Sequence, residues 1–389
     1  MRRGEHVEQI ARNCIYYRSD RPCMPHERTG ELCRCAMYAP RSVKVLIIQI
    51  SSAAGVIRSS ALVERLKGDD PHCHITYLSG FPELIDAAVD EPLGFDPGSV
   101  LRCQLDTFDV VYNLDLDVRA CGIVNILSAQ RKKGFYLRQG QPVPLDEDSQ
   151  IGFLRAITPG ALAKRRLHPV QEIFSLCGLE YRHERPRLPR GQTICRLVQR
   201  DEELVVGLNT YTENRTPAMP YWEAQRWIDL IERLIPQGLA VMLLGHVGPE
   251  RFNEQIARES SLEYVKSSNW LDVMDSVGQC DMVVTPAGAV CEIALALDQE
   301  VVLLEDRWAS GINSDYLRGR GAIIKPSGNG NGSLEQISPH RVFEAVMERI
   351  SQFPEQASPT EINNHKNAAP LKLTEIRDHI SRTRRGPEQ

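Results

Sequence analysis

The chain has 389 residues, of which 42% are hydrophobic and 25% are charged, and it carries a formal net charge of −5. This length favours two globular domains, each with its own core. The small acidic charge argues against a nucleic-acid-binding protein, and no apolar run approaches the roughly 18 residues of a transmembrane segment. Because no apolar stretch follows Arg2 and Arg3, we expect no signal peptide and a cytoplasmic location.

Residues 1–40 form a cysteine-rich segment that predicts a small metal-binding finger. Four of the eleven cysteines lie here, at Cys14, Cys23, Cys33 and Cys35. Thiolates at this density favour a structural tetrahedral site for zinc or for a single iron ion, and their spacing does not choose between the two metals. Unliganded thiols are the alternative. Several of the other cysteines lie in apolar runs, which is typical of reduced core residues in a cytoplasmic protein.

Residues 41–186 predict a first α/β domain. Its opening is an uninterrupted apolar strand, Val43–Ile50, followed by a small-residue turn at Ser51–Gly55 and a helix over Val56–Lys67. A strand, a tight turn and a helix in this order are typical of the start of a nucleotide-binding fold, although the glycine fingerprint of dinucleotide-binding proteins is missing.

A second apolar strand of this domain, Phe108–Leu114, ends at two acidic residues. Asp115 and Asp117 follow it directly, where the carboxyl ends of parallel strands line a ligand site. The two carboxylates therefore either face a substrate or cap the next helix. A polar, proline-bearing linker is predicted at 182–190.

Residues 200–350 predict a second domain of the same class, and residues 351–389 predict a polar C-terminal tail. Apolar strand patterns alternate here with amphipathic helices, which indicates a second doubly wound sheet. The strands are expected at 204–208, 240–244, 281–285 and 301–304, and the helices at 221–234, 250–259, 270–277, 289–297 and 339–353. The turn Pro286–Gly288 leaves the backbone open to a phosphate at a helix N-terminus. An ordinary packed βαβ unit without a ligand is the alternative.

Several segments, in order along the chain, resemble glycosyltransferase family 9, the ADP-heptose heptosyltransferases. The similar segments are 43–60, 108–115 with Gly134-Phe135, 207–210, 243–250, 280–304 and 317–321. The cysteine-rich segment is similar to one found on a subset of these proteins. The resemblance implies a GT-B fold, in which two doubly wound Rossmann-like domains, an acceptor domain followed by a donor domain, face a cleft.

The chain departs from the family at the positions that carry its chemistry. The family has an aspartate, thought to be the general base, where this chain has Gly55, and a lysine where it has Gln49. A phosphate-binding lysine is most nearly matched by Met219, and a histidine by Glu292. Loss of a base typically costs about 10²- to 10⁴-fold in rate.

The resemblance nevertheless implies a set of ligand-binding candidates in the second domain. Thr210, Thr212, Arg215 and the backbone of Gly288 are expected at a diphosphate, and Glu250 at the ribose of the donor. The full set of donor-binding candidates is Asn209, Thr210, Thr212, Arg215, Gly245, Glu250, Thr285 and Gly288. The catalytic candidates are Glu292, Asp306 and Arg58. Glu292 as a helix-starting carboxylate and Arg58 in a surface ion pair are the alternatives.

Two functions follow from this pattern. The first is a divergent transferase that moves a heptose-like sugar from a nucleotide-diphosphate donor, preferably ADP-linked, to a saccharide or other hydroxyl acceptor without a metal in the chemistry. The second is a catalytically silent pseudoglycosyltransferase that serves as a partner subunit or binding module. A homo-oligomer is compatible with both functions.

Overall fold

The computed structural model describes residues 10–18, 21–157, 167–189, 204–211, 222–245, 250–264, 266–305, 315–326 and 332–353. The chain divides into two compact units, Met1–Arg190 and Gly191–Gln389, and each unit has its own sheet. None of the helices in these described ranges is both long enough and apolar enough to cross a membrane.

The first unit is an α/β layer structure preceded by the cysteine-rich segment. Its strands follow the order β3-β2-β1-β4-β5-β6, in which β6 alone runs antiparallel to its neighbour. The elements, in chain order, are α1 (Met24–Thr29), β1 (Lys44–Gln49), α2 (Ala53–Asp69), β2 (His74–Ser79), β3 (Glu91–Gly94), α3 (Pro97–Leu105), β4 (Thr107–Asn113), α4 (Val118–Ile126), β5 (Ser128–Arg138), β6 (Gln141–Pro144), α5 (Glu147–Ile157) and α6 (Pro169–Leu176).

Strand β1 lies at the centre of this sheet and is buried on both faces, as its continuous apolar sequence predicts. Leu46 and Ile48 point into a core formed with α3 and α4. The predicted small-residue turn, however, is shorter than expected. Helix α2 begins at Ala53 because the Ser52 hydroxyl caps it, accepting a hydrogen bond of 3.0 Å from Gly55 N. Ala53, Ala54 and Gly55 are therefore helical, and the prediction of a turn at these positions was wrong.

The second unit is built around a five-stranded parallel sheet with the strand order β11-β10-β9-β7-β8. Its elements are β7 (Val205–Leu208), α7 (Ala224–Leu234), β8 (Ala240–Leu243), α8 (Glu250–Glu259), α9 (Trp270–Gly278), β9 (Met282–Pro286), α10 (Ala289–Ala296), β10 (Glu300–Leu304), β11 (Gly321–Ile324) and α11 (Pro339–Ile350). The strands and helices predicted for this domain are present within a few residues of their predicted bounds. Strand β11 is an additional edge strand that the sequence pattern did not predict.

The core of the second unit lies between the sheet and helices α7, α8 and α11. Trp222 and Trp227 are fully buried in it and meet edge to face, with ring centroids 4.8 Å apart. The indole nitrogen of Trp222 donates to the backbone oxygen of Ile337, 2.8 Å away, so its one polar atom is satisfied.

Candidate functional site

In each sheet the direction of winding reverses beside one central strand. The chain passes from β1 outward to β2 and β3, and it then crosses to β4 on the opposite side of β1. In the second sheet it passes from β7 to β8 and then crosses to β9 on the opposite side of β7. Ligands of open α/β sheets bind outside the carboxyl ends of the strands at such a reversal. Each sheet therefore has one candidate site, at the ends of β1 and β4 and at the ends of β7 and β9.

At the second-sheet site, Asn209 and Thr285 brace the ends of β7 and β9 together. Asn209 Nδ2 donates to Thr285 Oγ1 at 2.9 Å and to the backbone oxygen of Tyr211 at 2.8 Å. Thr285 Oγ1 in turn donates to the backbone oxygen of Pro286 at 2.7 Å. Both side chains are almost completely buried. The structure thus brings these two predicted binding residues together, and their hydrogen bonds join the ends of β7 and β9.

A second brace joins the end of β7 to helix α8. The hydroxyl of Thr210 donates to Asn253 Oδ1, and Asn253 Nδ2 donates to the backbone oxygen of Leu244 at 3.1 Å. Gly245 follows directly, and Glu250 begins α8. Asn253 was missed in the sequence, although its position on the same helix face as the buried Ile256 is a detectable signal.

Helix α10 begins at the end of β9. Its N-cap residue is Gly288, which has no side chain to accept from the first-turn amides. The positive end of the helix dipole makes such an N-terminus favourable for an anion. This geometry fits the predicted phosphate-binding role of the Gly288 backbone.

Glu292 lies in the first turn of α10, but its side chain is fully buried. The hydroxyl of Tyr316, which is also buried, donates to Glu292 Oε2. The carboxylate therefore contacts another part of its own unit, and Tyr316 is a partner that the sequence did not indicate. A carboxylate buried in this way suits the structural role, the alternative predicted for Glu292, better than it suits a base that must contact an acceptor.

At the first-sheet site, a buried carboxylate joins the ends of β1 and β4. Asp115 Oδ2 accepts from Gln49 Nε2 at 3.1 Å, from Ile50 N at 2.9 Å and from Ser51 N at 2.7 Å. Its Oδ1 accepts from the Ser51 hydroxyl at 2.7 Å and from Asp117 N at 2.9 Å. A carboxylate offers about four lone pairs, so these five donors use its full capacity.

Gln49 fills the space beside Gly55, the position that corresponds to the family's base. A Cβ atom at residue 55 would lie 2.7 Å from Gln49 Cδ, which is closer than two carbon atoms approach. The Gln49 side chain is held there by its hydrogen bond to Asp115. Gln49 and Gly55, the two residues that differ from the family here, are therefore linked, because the side chain of one occupies the space beside the other.

Asp117 takes the capping role, one of the two predicted for it. It is the N-cap of α4 and accepts from Arg119 N at 2.8 Å, while the Arg119 guanidinium binds both of its carboxylate oxygens. The hydrogen bond from Arg119 lowers the pKa of Asp117. Arg58 lies on α2 one turn beyond Gly55 and is partly buried.

The four cysteines of the N-terminal segment line one cavity. This cavity has a volume of about 310 Å³, and its wall contains Cys14, Cys23, Cys33, Cys35 and His26 together with tyrosine and arginine side chains. All four are free thiols. Among the residues that the structure describes, no three His, Cys, Asp or Glu side chains converge closely enough to hold a metal ion. The donor set thus fits zinc or iron by its chemistry, and the metal site stays a prediction.

Three predicted site residues, Thr212, Arg215 and Asp306, lie outside the described residues, as does Met219. Their placement at the second-sheet site stays a prediction.

Comparison with known proteins gives structural matches alone. No protein-family model matches the chain, and a search of the curated proteins finds no match. Heptosyltransferase II of E. coli, an ADP-heptose lipopolysaccharide enzyme, matches 79% of this chain and 99% of its own at 17% identity, with a TM-score of 0.57. A glycosyl transferase of family 9 from Veillonella parvula matches 79% and 97% at 12% identity, with a TM-score of 0.59. E. coli heptosyltransferase WaaC, solved with ADP, matches 79% and 99% at 14% identity, with a TM-score of 0.57.

The chain has the heptosyltransferase fold. The prediction of a divergent GT-B protein related in fold to glycosyltransferase family 9 is thereby confirmed, because the matches extend over both α/β units. Structural similarity at such low sequence identity establishes the fold alone and does not identify the substrates.

Proposed function

We propose that this protein binds a nucleotide-diphosphate sugar at the carboxyl ends of β7 and β9 and transfers the sugar to a hydroxyl acceptor. The observation that carries the proposal is the N-terminus of α10, which follows β9 at the winding reversal and has Gly288 as its N-cap residue. Backbone amides at that end bind a diphosphate without needing a cationic side chain. The braces at Asn209 and Thr210 join the end of β7 to the end of β9 and to helix α8, on either side of this position.

An ADP-linked, heptose-like donor is the preferred candidate. Two E. coli enzymes with this fold are named for ADP-heptose or were solved with ADP. Glu250, which begins α8 beside Gly245, is the candidate contact to the ribose, and Thr212 and Arg215 are candidate contacts to the diphosphate. Arg215 would supply a cationic contact in place of the missing lysine, and its guanidinium can bind two phosphate oxygens at once.

The transfer forms a bond between the acceptor oxygen and the anomeric carbon and breaks the bond from that carbon to the diphosphate. The acceptor loses a proton, so a base raises the rate, and donors at the leaving diphosphate stabilise its charge. Asp306 and Arg58 remain the candidates for contact with the reacting groups. Glu292 is a weaker candidate because its carboxylate is buried against Tyr316.

A catalytically silent relative is the second candidate function, and one specific observation favours it. The usual base position is Gly55, which has no carboxylate, and the Gln49 side chain occupies the space beside it. Such a protein would keep donor binding and act as a partner subunit or as a homo-oligomeric binding module. The presence of free thiols is compatible with a cytoplasmic location for either function.

A screen for nucleotide release separates these functions. Purified protein is incubated with nucleotide sugars, ADP-linked ones first, and saccharide acceptors, while released nucleotide and thermal shift are both recorded. Release with a thermal shift supports the transferase, and a thermal shift without release supports the silent binding protein. Neither signal with any nucleotide diphosphate contradicts the proposed donor site itself.

The variant Ala289→Pro tests the role of the α10 N-terminus. Proline is compatible with the first helical position, where it removes one N–H group and keeps the helix. We expect about tenfold weaker ADP binding, comparable to the loss of one charge-assisted hydrogen bond. The melting temperature without nucleotide is the control, because it should change far less than the affinity. Unchanged ADP affinity in a folded variant would place the diphosphate elsewhere.

The N-terminal segment is proposed to hold a structural zinc or iron ion through Cys14, Cys23, Cys33 and Cys35. The supporting observation is that all four thiols line one cavity. A bound ion would supply the cross-link that a segment of this size needs in order to stay folded. Elemental analysis of protein purified without added metal distinguishes the two ions, and the variant Cys23→Ser should lose the metal. A stable, metal-free native protein contradicts the proposal.

A further inference from the structure

The first-sheet site contains a hydroxyl group whose hydrogen-bonding direction is set by the fold. Ser51 lies at the end of β1, beside the winding reversal, and its side chain is partly exposed. Its hydroxyl proton is donated to Asp115 Oδ1, 2.7 Å away. A hydroxyl has a single proton, so towards a ligand the Ser51 oxygen acts as an acceptor.

Asp115 keeps the hydroxyl in this orientation. Its carboxylate is almost fully buried and accepts from the backbone amides of Ile50, Ser51 and Asp117 as well as from Gln49 and Ser51 side chains. Rotation of the Ser51 hydroxyl away from Asp115 would remove a short hydrogen bond to a buried charge, which is the costly kind to lose. With its lone pairs occupied, Asp115 also has no free position to accept a hydrogen bond from a ligand.

The charge of the site points in the same direction. The buried carboxylate lies immediately behind Ser51, so a phosphate or carboxylate group in contact with the Ser51 oxygen would meet both a lone pair and a negative charge. The N-terminus of α2 lies next to Ser51, but it is already capped by the Ser52 hydroxyl. A ligand hydroxyl, in contrast, donates a hydrogen bond to Ser51 and gains from the charge behind it.

We propose that Ser51 is a specificity-determining residue that accepts a hydrogen bond from a hydroxyl group of a neutral, saccharide-like acceptor, with Asp115 as its positioning residue. The inference rests on the proposed function, because it assigns the acceptor class to the first-sheet site. It excludes an acceptor that is recognised there through a phosphate or carboxylate group.

Ligand-observed NMR titration of the full chain tests this assignment. The probes are a panel of neutral methyl glycosides (gluco, galacto and manno) and the corresponding hexose 6-phosphates. We expect the wild-type protein to bind a neutral glycoside more tightly than its phosphate counterpart. The variant Ser51→Ala should weaken neutral binding by about two- to tenfold, as expected for one lost hydrogen bond, whereas Ser51→Thr should preserve it.

Two further variants distinguish polarity from general damage. Ser52→Ala removes a neighbouring hydroxyl that caps α2 by accepting from Gly55 N, so it should lower stability without changing glycoside affinity. Asp115→Asn presents an amide N–H₂ to Ser51 and frees its proton, so it should shift the preference towards the phosphates. If Asp115→Asn does not fold, the Ser51 variants still decide the outcome.

ADP titration of the same proteins separates the two proposals. Wild-type protein and both Ser51 variants should bind ADP equally, because that site lies on the second sheet. If the wild-type protein does not bind ADP, the proposed function is contradicted, regardless of the glycoside affinities. Equal glycoside binding by Ser51→Ala and wild type, tighter binding of the phosphates by the wild type, or no binding of any neutral glycoside overturns the assignment of Ser51.

Discussion

Gln49 and Gly55 compete for the same space at the end of β1. A Cβ atom at residue 55 would lie 2.7 Å from Gln49 Cδ and 2.8 Å from Gln49 Oε1. Gln49 stays in this position because its Nε2 donates to Asp115. The position where the family carries its base is therefore filled by a neighbouring side chain, which a residue larger than glycine at position 55 would have to displace.

This relationship predicts a measurable coupling between the two residues. Gly55→Ala gains helix propensity in α2, but in the wild-type background it also displaces Gln49 from Asp115. In a Gln49→Ala background only the gain remains. The change in unfolding free energy caused by Gly55→Ala should be about 1 kcal/mol more favourable in the Gln49→Ala background than in the wild type, as measured by urea unfolding. Gly68→Ala, in an open part of the same helix, is the control and should show no coupling. Additive effects of Gln49→Ala and Gly55→Ala would contradict the steric account.

Gly134 should be one of the least replaceable residues of the first unit. It has a φ angle of +97°, and a Cβ atom there would lie 1.8 Å from the backbone oxygen of Asn113 on the neighbouring strand. Because backbone atoms cannot yield as a side chain does, we expect Gly134→Ala to cost roughly 3 kcal/mol or more of unfolding free energy. Gly140→Ala shares the positive φ but has open space around it, so it should cost about 1 kcal/mol. Equal losses in the two variants would contradict the close approach.

The stability of the first unit should fall in acid partly through Glu91. The neighbouring His74, whose Nε2 lies 3.9 Å from Glu91 Oε2, lowers the pKa of Glu91 to about 2, and Arg102 and Thr76 contribute in the same direction. The lowered pKa means that the contribution of Glu91 is complete above about pH 4.5 and is lost as the pH falls towards 2.

Unfolding free energies measured between pH 6 and pH 2 test this contribution. Over this range the unfolding free energy of Glu91→Gln should fall by about 2 kcal/mol less than that of the wild type. This figure allows for the partial exposure of the Glu91 side chain. Glu83→Gln, which changes another partly exposed carboxylate of the same unit, is the matched control and should leave the wild-type profile unchanged. Parallel pH profiles of wild type and Glu91→Gln would show that Glu91 does not carry this effect.

The brace between Asn209 and Thr285 should behave as a coupled pair. Thr285→Val removes the acceptor of a buried amide and should cost about 1–3 kcal/mol of unfolding free energy, because one Asn209 N–H is left without that partner. Asn209→Ala should be similarly costly. The double variant should lose clearly less unfolding free energy than the sum of the two single losses, since both partners have then been removed together. Strict additivity would indicate that the two side chains act independently.

The sequence predicted most of the fold because strands and helices leave strong periodic patterns in it. The continuous apolar run at β1 and the alternation of strands and helices from β7 to β10 indicated two doubly wound sheets. Edge elements were harder to predict. Strand β11 is short and only partly buried, and β6 is a four-residue antiparallel strand, so neither has a pattern that separates it from a loop. The start of α2 was misplaced because Ala53–Gly55 are small residues typical of turns, whereas the Ser52 cap decides that they are helical.

The sequence by itself determined that this chain has two α/β units and that the base, lysine and histidine of the family it resembles are replaced. It also predicted which strand ends would lie at the candidate sites. Only the tertiary structure decided what the residues there do. Asn209 and Thr285 are far apart in sequence and form one buried brace, Glu292 is buried against Tyr316, and Gln49 occupies the space beside Gly55. Hydrogen-bond partners and excluded space depend on which strands become neighbours, and local patterns carry no information about that.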